Sequence, residues 1–317
     1  MNGLPTAFTE RLSQVFPNDQ YVQLLNTFYT PKQISFRINT LKSSRQQAMS
    51  LLPTTLKVTE VPHFPHSYAI NSEDKQQLTH SQAFVNGHIY IQNLSSMLPA
   101  LLLAPSNTDR VLDITAAPGS KTTQLAALMQ NQGWISAVEI NKPRFHKLKN
   151  NLTLQGTENV HTYLMDGADV WRKCPQQFDK ILVDAPCSSE SRISALDEES
   201  YAYWSEKKIK EMCKKQKRLL FSAVLSLKCG GEIIYSTCSF APEENEMAIH
   251  RLLKKFSKEI EIVPIELPID NWQAGLTQWK SKQFHPDLIH SKRILPTTIM
   301  DGFYICKLRK VKSTLRA

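Results

Sequence analysis

The amino-acid sequence predicts an α/β protein in which a doubly wound, mostly parallel sheet follows a small N-terminal α+β domain. Between residues 83 and 250, apolar strand-like runs alternate with longer segments of helical period, which is typical of this fold class. Residues 1–82 have a more mixed texture, so we place a domain boundary there and assign 83–317 to the larger domain. A hydrophobic content of 41% in 317 residues is enough for a buried core of this size.

The predicted elements follow in chain order. Residues 7–25 have a helical period, and residues 34–41 alternate apolar and polar side chains as a half-buried strand does. Strand-like runs of the larger domain are predicted at 110–114, 134–139, 180–184 and 231–236. Helices are predicted at 122–129, 143–154, 203–228 and 249–256. The closing run, 302–308, alternates again and predicts an edge strand.

Hydropathy and charge exclude some classes of protein. The longest apolar stretch, residues 97–104, is far shorter than the ~20 residues of a membrane-spanning helix. Residues 1–20 contain no apolar segment of the kind found in secretory signals, so we expect a cytoplasmic protein. An excess of 38 Lys and Arg over 29 Asp and Glu gives a formal charge of +9, which favours an anionic partner such as nucleic acid.

The six cysteines are scattered, with no CxxC pair and no Cys/His zinc spacing. We therefore expect no metal site. For four of these cysteines we expect reduced, buried thiols: Cys174, Cys213, Cys229 and Cys306.

Acidic residues lie at the ends of three predicted strands: Asp113, Glu139 and Asp184. Ligands of open α/β sheets bind at these carboxyl ends. The turn after the first strand combines small residues with the start of a helix, so its backbone can approach a ligand closely. This turn reads Thr115-Ala116-Ala117-Pro118-Gly119-Ser120-Lys121-Thr122. Glu139 follows Gly119 by 20 positions, which is near the spacing at which an acid binds a ribose diol. Asp166 lies farther along the chain, where we expect the end of another strand, and it would face an adenine amine.

The turn is neither a GxGxxG dinucleotide motif nor a complete GxxxxGK[ST] phosphate loop. A cofactor with a ribose and an adenine but no pyrophosphate fits better, and we predict S-adenosylmethionine. A small-residue turn flanked by ordinary surface acids is the alternative that this spacing leaves open.

Two cysteines, Cys187 and Cys238, lie just beyond the ends of predicted strands. If these strands are neighbours, both thiols project into the same cleft as the small-residue turn. A lone cysteine is usually a core residue, whereas two at strand ends indicate chemistry that uses a thiolate. Pro186 stiffens the turn that presents Cys187 and Asp184.

Three motifs, DITAAPGSKT at 113–122, DAPCS at 184–188 and STCS at 236–239, resemble signature motifs of the Sun/Nop-type (RsmB-like) RNA cytosine-C5 methyltransferase family. Further matches extend the resemblance over roughly residues 30–310, at 37–42, 92–96, 242–246 and 301–303. The chain departs from the family at Ser120 and Ser189, where the family usually has glycine, and residues 190–193 differ as well.

The resemblance implies a Rossmann-like S-adenosylmethionine methyltransferase domain that forms 5-methylcytosine in ribosomal or transfer RNA. Cys238 would attack C6 of the cytosine, and Cys187 would assist removal of the C5 proton and release of the covalent adduct. Asp184 would bind the base near N3. The cofactor would be held by residues 115–121 together with Glu139, Arg144, Asp166 and Asp184. We expect a monomer that acts without a metal or a membrane.

Basic residues that could contact RNA cluster in one predicted helix: Lys207, Lys208, Lys210, Lys214, Lys215, Lys217 and Arg218. The solvated face of an amphipathic helix explains this cluster as well as RNA contact does. Residues 307–312 form a second basic segment. Two alternatives for the whole protein stay open, namely a methyltransferase of a non-RNA substrate and a catalytically silent RNA-binding or assembly factor on the same scaffold.

Overall fold

The computed structural model describes residues 3–315. The chain begins with two helices, α1 (Thr6–Val15) and α2 (Asn18–Phe28), where the sequence predicted helical structure throughout residues 7–25. They are separate because Pro17 favours an extended conformation of the residue before it, and Phe16 accordingly has φ −115° and ψ 136°.

An antiparallel sheet follows, in the strand order β2-β3-β1-β4. Its strands are β1 (Ile34–Ile38), β2 (Thr59–Glu60), β3 (Ser67–Ile70) and β4 (Ile89–Ile91). Three short helices connect them: α3 (Arg45–Ser50), α4 (Lys75–His80) and α5 (Gln82–Val85). β4 pairs with β1 although it lies beyond residue 82, so this sheet continues past the predicted domain boundary, which stays a prediction.

A nine-stranded sheet forms the larger part of the molecule, in the order β11-β14-β15-β9-β8-β5-β6-β7, with β10 paired to β15. Its parallel half consists of β5 (Arg110–Asp113), β6 (Trp134–Glu139), β7 (Val160–Leu164), β8 (Phe178–Asp184) and β9 (Leu227–Thr237). The antiparallel half consists of β10 (Ile260–Val263), β11 (Trp272–Ala274), β14 (Lys292–Ile294) and β15 (Phe303–Lys310). A separate hairpin contains β12 (Gln278–Trp279) and β13 (Lys282–Gln283).

Helices cover both faces of this sheet, which confirms the predicted doubly wound α/β fold. They are α6 (Leu94–Leu103), α7 (Ser120–Leu128), α8 (Lys142–Leu154), α9 (Val170–Lys173), α10 (Glu206–Ser226) and α11 (Glu246–Lys255). Successive strand residues face opposite cores. Val111 belongs to the core that contains Leu98 of α6 and Leu125 of α7, whereas Leu112 belongs to the core that contains Leu220 of α10.

β15 is not the edge strand that its sequence predicted. It pairs with β9 along one side and with β14 and β10 along the other. Its first four residues, from Phe303 to Cys306, are all buried, because both faces of this strand are covered. The alternation of apolar and polar residues in this strand therefore does not indicate an exposed face.

The structure shows where the four scattered cysteines and the longest apolar stretch lie. Among the four cysteines expected to be buried thiols, only Cys306 is buried; Cys174 and Cys213 are half-buried and Cys229 is exposed, so the expectation was wrong for three of them. Residues 97–104 lie mostly within α6, and no helix formed by residues 3–315 is long and apolar enough to cross a membrane.

Candidate active site

A cleft of about 750 Å³ lies at the carboxyl ends of β5, β6, β8 and β9. The sequence-predicted site residues that line it are Thr115, Ala116, Ala117, Pro118, Ser120, Lys121, Glu139, Arg144, Asp166, Asp184, Cys187 and Cys238. Gly119 does not line the cleft. It directly precedes α7 and has a φ of 107°. A Cβ atom at this position would lie 3.0 Å from the Cδ1 atom of Leu148, so the glycine permits close packing behind the turn.

Glu139 ends β6 and is only 3% exposed. Its Oε1 atom accepts a hydrogen bond from the backbone N–H of Asn141 at 2.8 Å, and its Oε2 atom lies 3.5 Å from Arg144. Arg144 also donates to the carbonyl of Ala117 at 2.6 Å, so this arginine links the small-residue turn to Glu139.

Two further aspartates line the cleft from strand ends. Asp166 accepts from the backbone N–H of Ala168 at 2.9 Å and forms an ion pair with Arg218 at 3.0 Å. Asp113, which sequence reasoning left out of the site, accepts from the hydroxyl of Thr122 at 2.7 Å. Its Oδ1 atom is buried without a hydrogen-bond partner among residues 3–315, and burial raises the pKa of this carboxyl to about 6.

Lys121 lies at the centre of a buried polar group. Its Nζ atom donates to Asp184 Oδ2 at 2.7 Å and to Ser96 Oγ at 2.6 Å, and it lies 5.5 Å from the centre of the Phe303 ring. The other oxygen of Asp184 accepts from Ser236 at 2.9 Å. The lysine therefore orients the carboxylate of Asp184, which gives the Gly-Ser-Lys-Thr segment a role other than phosphate binding.

The two strand-end cysteines are in contact. β8 and β9 are parallel neighbours with Asp184 opposite Ser236, and the Sγ atoms of Cys187 and Cys238 lie 3.1 Å apart. The hydrogen bond from Cys187, aided by the charge of Arg192, lowers the pKa of Cys238 to about 7. The same hydrogen bond, together with burial, raises the pKa of Cys187 well above its ordinary value. Cys238 is thus the more acidic thiol of the pair.

Two of the residues at which the chain departs from the family, Ser189 and Arg192, border these thiols. Ser189 has φ 59° and ψ 31°, a left-handed conformation that explains why glycine is usual at this position. Its Oγ atom lies 3.7 Å from Cys238 Sγ. Arg192 follows in a short 3₁₀ helix, Glu190–Arg192, and lines the cleft. Sequence reasoning missed Arg192; the only signal was its place in the stretch that differs from the family.

A buried acidic pair supports the two cysteine loops, and sequence reasoning missed this as well. Glu244 accepts from the backbone N–H of Ser188 at 3.0 Å, and Glu190 accepts from the backbone N–H of Phe240 at 2.9 Å. The hydroxyl of Ser239 lies 3.0 Å from an oxygen of Glu190 and 3.2 Å from one of Glu244. Burial raises the pKa of both carboxyls, that of Glu244 to about 7.

These features fit S-adenosylmethionine. The buried carboxylate of Glu139 suits a ribose diol, and Ile140 beside it keeps 63% of its surface exposed at the cleft, which suits the flat face of an adenine. The unpaired Oδ1 atom of Asp113 can accept a hydrogen bond from a ligand.

Comparisons with known proteins agree with this geometry. The family model of 16S rRNA methyltransferase RsmB/F matches residues 100–309, and that of the N-terminal domain of 16S rRNA methyltransferase RsmF matches residues 4–94. A solved structure of a methyltransferase homolog protein from Pyrococcus horikoshii has a TM-score of 0.82 and 31% identity, covering 97% of this chain and 96% of that chain.

Curated relatives carry similar names. The ribosomal RNA small subunit methyltransferase F of Cronobacter sakazakii is 35% identical over 98% of this chain, and the human 28S rRNA (cytosine(4447)-C(5))-methyltransferase is 34% identical over 96% of it. The chain spans 64% of the length of the first of these relatives and 38% of the second. The match to a methyltransferase family confirms the prediction of S-adenosylmethionine as the cofactor. From its fold, its cleft and the match over residues 100–309, the chain belongs to the 16S rRNA methyltransferase RsmB/F family.

Proposed function

We propose that this chain forms 5-methylcytosine in RNA through a covalent bond between Cys238 and C6 of the target cytosine. The observation that carries this proposal is the pair of thiols, 3.1 Å apart at the cofactor cleft, of which Cys238 has the lower pKa. Ribosomal RNA is the first candidate substrate because the relatives are named for it, and transfer RNA is the second. A cytoplasmic monomer that needs no metal is the form in which we propose that it acts.

The residues of the cleft account for each step. The Cys238 thiolate attacks C6 of the base, and the electron pair displaced from the 5,6 double bond makes C5 nucleophilic. The cofactor, when bound, supplies the methyl group that C5 takes. Asp184, oriented by Lys121 and Ser236, accepts a hydrogen bond from the amino group next to N3 of the base and so holds the ring against Cys238.

Release of the product requires a base beside C5, and we assign this role to Cys187. Once Cys238 is bonded to carbon, it no longer carries the negative charge that disfavours ionisation of Cys187. Cys187 can then lose its proton to solvent and take the proton from C5. The electron pair of the C5–H bond restores the double bond, and Cys238 leaves as a thiolate.

This assignment predicts different outcomes for the two cysteines. Cys238→Ala abolishes both methyl transfer and the covalent species, because the sulfur that bonds to C6 is lost. Cys187→Ala forms the adduct but resolves it slowly, so a protein–RNA band survives denaturing gel electrophoresis. The measurement is methyl incorporation into ribosomal and transfer RNA together with the trapped band for each variant.

The outcome also separates the alternatives. A trapped band with Cys238→Ala and none with Cys187→Ala reverses the two roles. If the wild type and both variants bind RNA with the same affinity and none of them methylates it, the protein is the catalytically silent factor. Two merely structural cysteines would instead give similar losses of stability in both variants.

A further inference from the structure

A groove with positive charge lies beside the catalytic cleft, on the other side of α10. It consists of two adjoining hollows of about 540 and 470 Å³ between α10, α11 and the hairpin β12–β13. We call it the basic groove. Its lining includes nine exposed cations: Arg172, Lys210, Lys214, Lys217, Arg218, Arg251, Lys255, Lys280 and Lys282.

The cations of α10 differ in whether acids neutralise them. Lys208 and Lys215 both bind the carboxylate of Glu211, at 3.3 and 2.8 Å, on the face away from the basic groove. Arg218 forms its ion pair with Asp166. Part of the basic cluster of α10 is therefore a solvated helix face with its own counterions, which is the interpretation that the sequence offered as the alternative to RNA contact.

The remaining lysines of the helix have no such partners. Lys210, Lys214 and Lys217 are spaced by four and three residues, so they share one face of α10. Across residues 3–315, none of these three lysines, nor Arg251 opposite them, forms an ion pair with a carboxylate. Cations held near each other without counterions repel, so this surface favours an anionic ligand.

The acids of the basic groove do not neutralise it. The carboxylate of Glu243 is bound by Arg11 at 2.7 Å and by the indole N–H of Trp279 at 3.3 Å. Asp169 is paired with Arg172 at 3.2 Å. The net charge that the groove presents is therefore positive.

The aromatic rings of the groove are already covered by cations. The Lys255 ammonium lies 4.2 Å from the centre of the Phe221 ring, and Lys280 lies 5.6 Å from that of Trp279. A base cannot stack on a ring face that a cation occupies, so the groove offers charge rather than a stacking platform. Such a surface suits a sugar-phosphate backbone.

The basic groove continues from the catalytic cleft, because Arg218 and Ala168 line both. We propose that it binds the phosphates of the RNA strand that flanks the target base and leads this strand away from the cleft. The identity of the polymer as RNA rests on the proposed function. The contact is independent of sequence, because no base edge is read.

The salt dependence of RNA binding tests this proposal. Fluorescence anisotropy of a labelled single-stranded RNA oligonucleotide gives the affinity of the full chain over a range of potassium chloride concentrations. Each lost phosphate contact flattens the plot of log affinity against log salt by about 0.7, so Lys214→Gln with Lys217→Gln should flatten it by about 1.4. The matched control, Lys254→Gln with Lys258→Gln, removes the same charge at exposed positions that do not line the basic groove and should leave the slope close to that of the wild type.

Equal slopes for the two double variants would overturn the proposal, since bulk charge alone would then explain the effect. An unchanged slope in both would overturn it as well. Methylation of RNA by the wild-type protein is measured separately. If the wild type forms no 5-methylcytosine, the proposed function fails while the salt test still reports on the groove; if it does and the slopes are equal, the groove proposal fails alone.

Discussion

The backbone of Ser189 shows how a single residue adjusts the catalytic thiolate. Its φ of 59° lies in the left-handed region, which costs a residue with a side chain about 1–2 kcal/mol. In return, its hydroxyl oxygen lies 3.7 Å from Cys238 Sγ, and this contact helps to lower the pKa of the thiol. The hydroxyl thus stabilises the charged sulfur at a position where glycine offers none.

A pair of variants separates these two effects. Ser189→Gly should raise the free energy of unfolding by about 1 kcal/mol because it relieves the left-handed strain, whereas Ser189→Ala keeps the strain and should not. Both lose the hydroxyl, so both should shift the pH dependence of Cys238 alkylation to higher pH. Urea unfolding and alkylation followed by mass spectrometry measure the two quantities. Equal stabilities, or an unshifted alkylation profile, would contradict this account.

At the scale of elements, the loops that follow β8 and β9 are held together by carboxyls, beyond the last strand pair of Asp184 and Ser236. Glu244 binds the backbone of the Cys187 loop through Ser188 and is bound in turn by Gln216 of α10 at 2.8 Å. Burial raises the pKa of Glu244 from its ordinary 4.5 to about 7, so the folded protein holds this proton more tightly than the unfolded chain does. The stability that this group contributes is complete below about pH 4.5 and is lost as the pH rises toward 7.

Glu244→Gln removes the titration while keeping a side chain that can accept from Ser188. The variant should therefore lose less stability than the wild type between about pH 5 and about pH 8. Urea unfolding at both pH values measures this difference, and Glu199→Gln, at an exposed position of another loop, serves as the control. Parallel losses in wild type and Glu244→Gln would show that the carboxyl does not titrate in this range.

The accuracy of the sequence predictions follows from the kind of element. β5, β6 and β8 were placed to within two residues because buried parallel strands form continuous apolar runs that end in an acid. Strands such as β11 and β14 contain only three residues, too few to show a period, and they exist because β14 pairs with β15 and β11 pairs with β14. The mixed character of the sheet was missed for this reason.

The residues of the candidate site also differ in how well the sequence predicts them. Cys187 and Cys238 were predictable because both follow recognisable strands. Arg192 and Glu190 lie in a single turn of 3₁₀ helix, and their roles depend on contacts with residues about fifty positions away, such as the bond from the Phe240 N–H to Glu190. No local pattern reports such a contact.

At the scale of the whole molecule, one buried arginine joins the N-terminal sheet to the catalytic cleft. Arg37 of β1 donates to Gln92 at 2.8 Å, to the hydroxyl of Thr123 at 2.7 Å and to the carbonyl of Ser120 at 3.1 Å. Burial lowers its pKa to about 10, so the guanidinium stays charged at neutral pH. The start of α7, which borders the cofactor turn, is thus anchored from the other sheet.

Arg37→Ala should lower the free energy of unfolding by about 2–3 kcal/mol, because three hydrogen bonds to a charged donor are lost and their partners stay buried. It should also weaken binding of S-adenosylhomocysteine in calorimetry, since the turn loses its anchor. Arg45→Ala removes an exposed pair with Glu60 and should cost under about 1 kcal/mol. Equal losses in the two variants would mean that Arg37 contributes no more than a surface ion pair.

The contact between Cys187 and Cys238 also makes the protein sensitive to oxidation. Their sulfur atoms, at 3.1 Å, need to approach by only about 1 Å to reach the disulfide bond length of about 2.05 Å. A thiolate beside a thiol is the arrangement from which a mild oxidant removes two electrons and one proton to form that bond. We expect that aerobic storage without a reductant will inactivate the protein, with the loss of two titratable thiols, and that dithiothreitol will restore them.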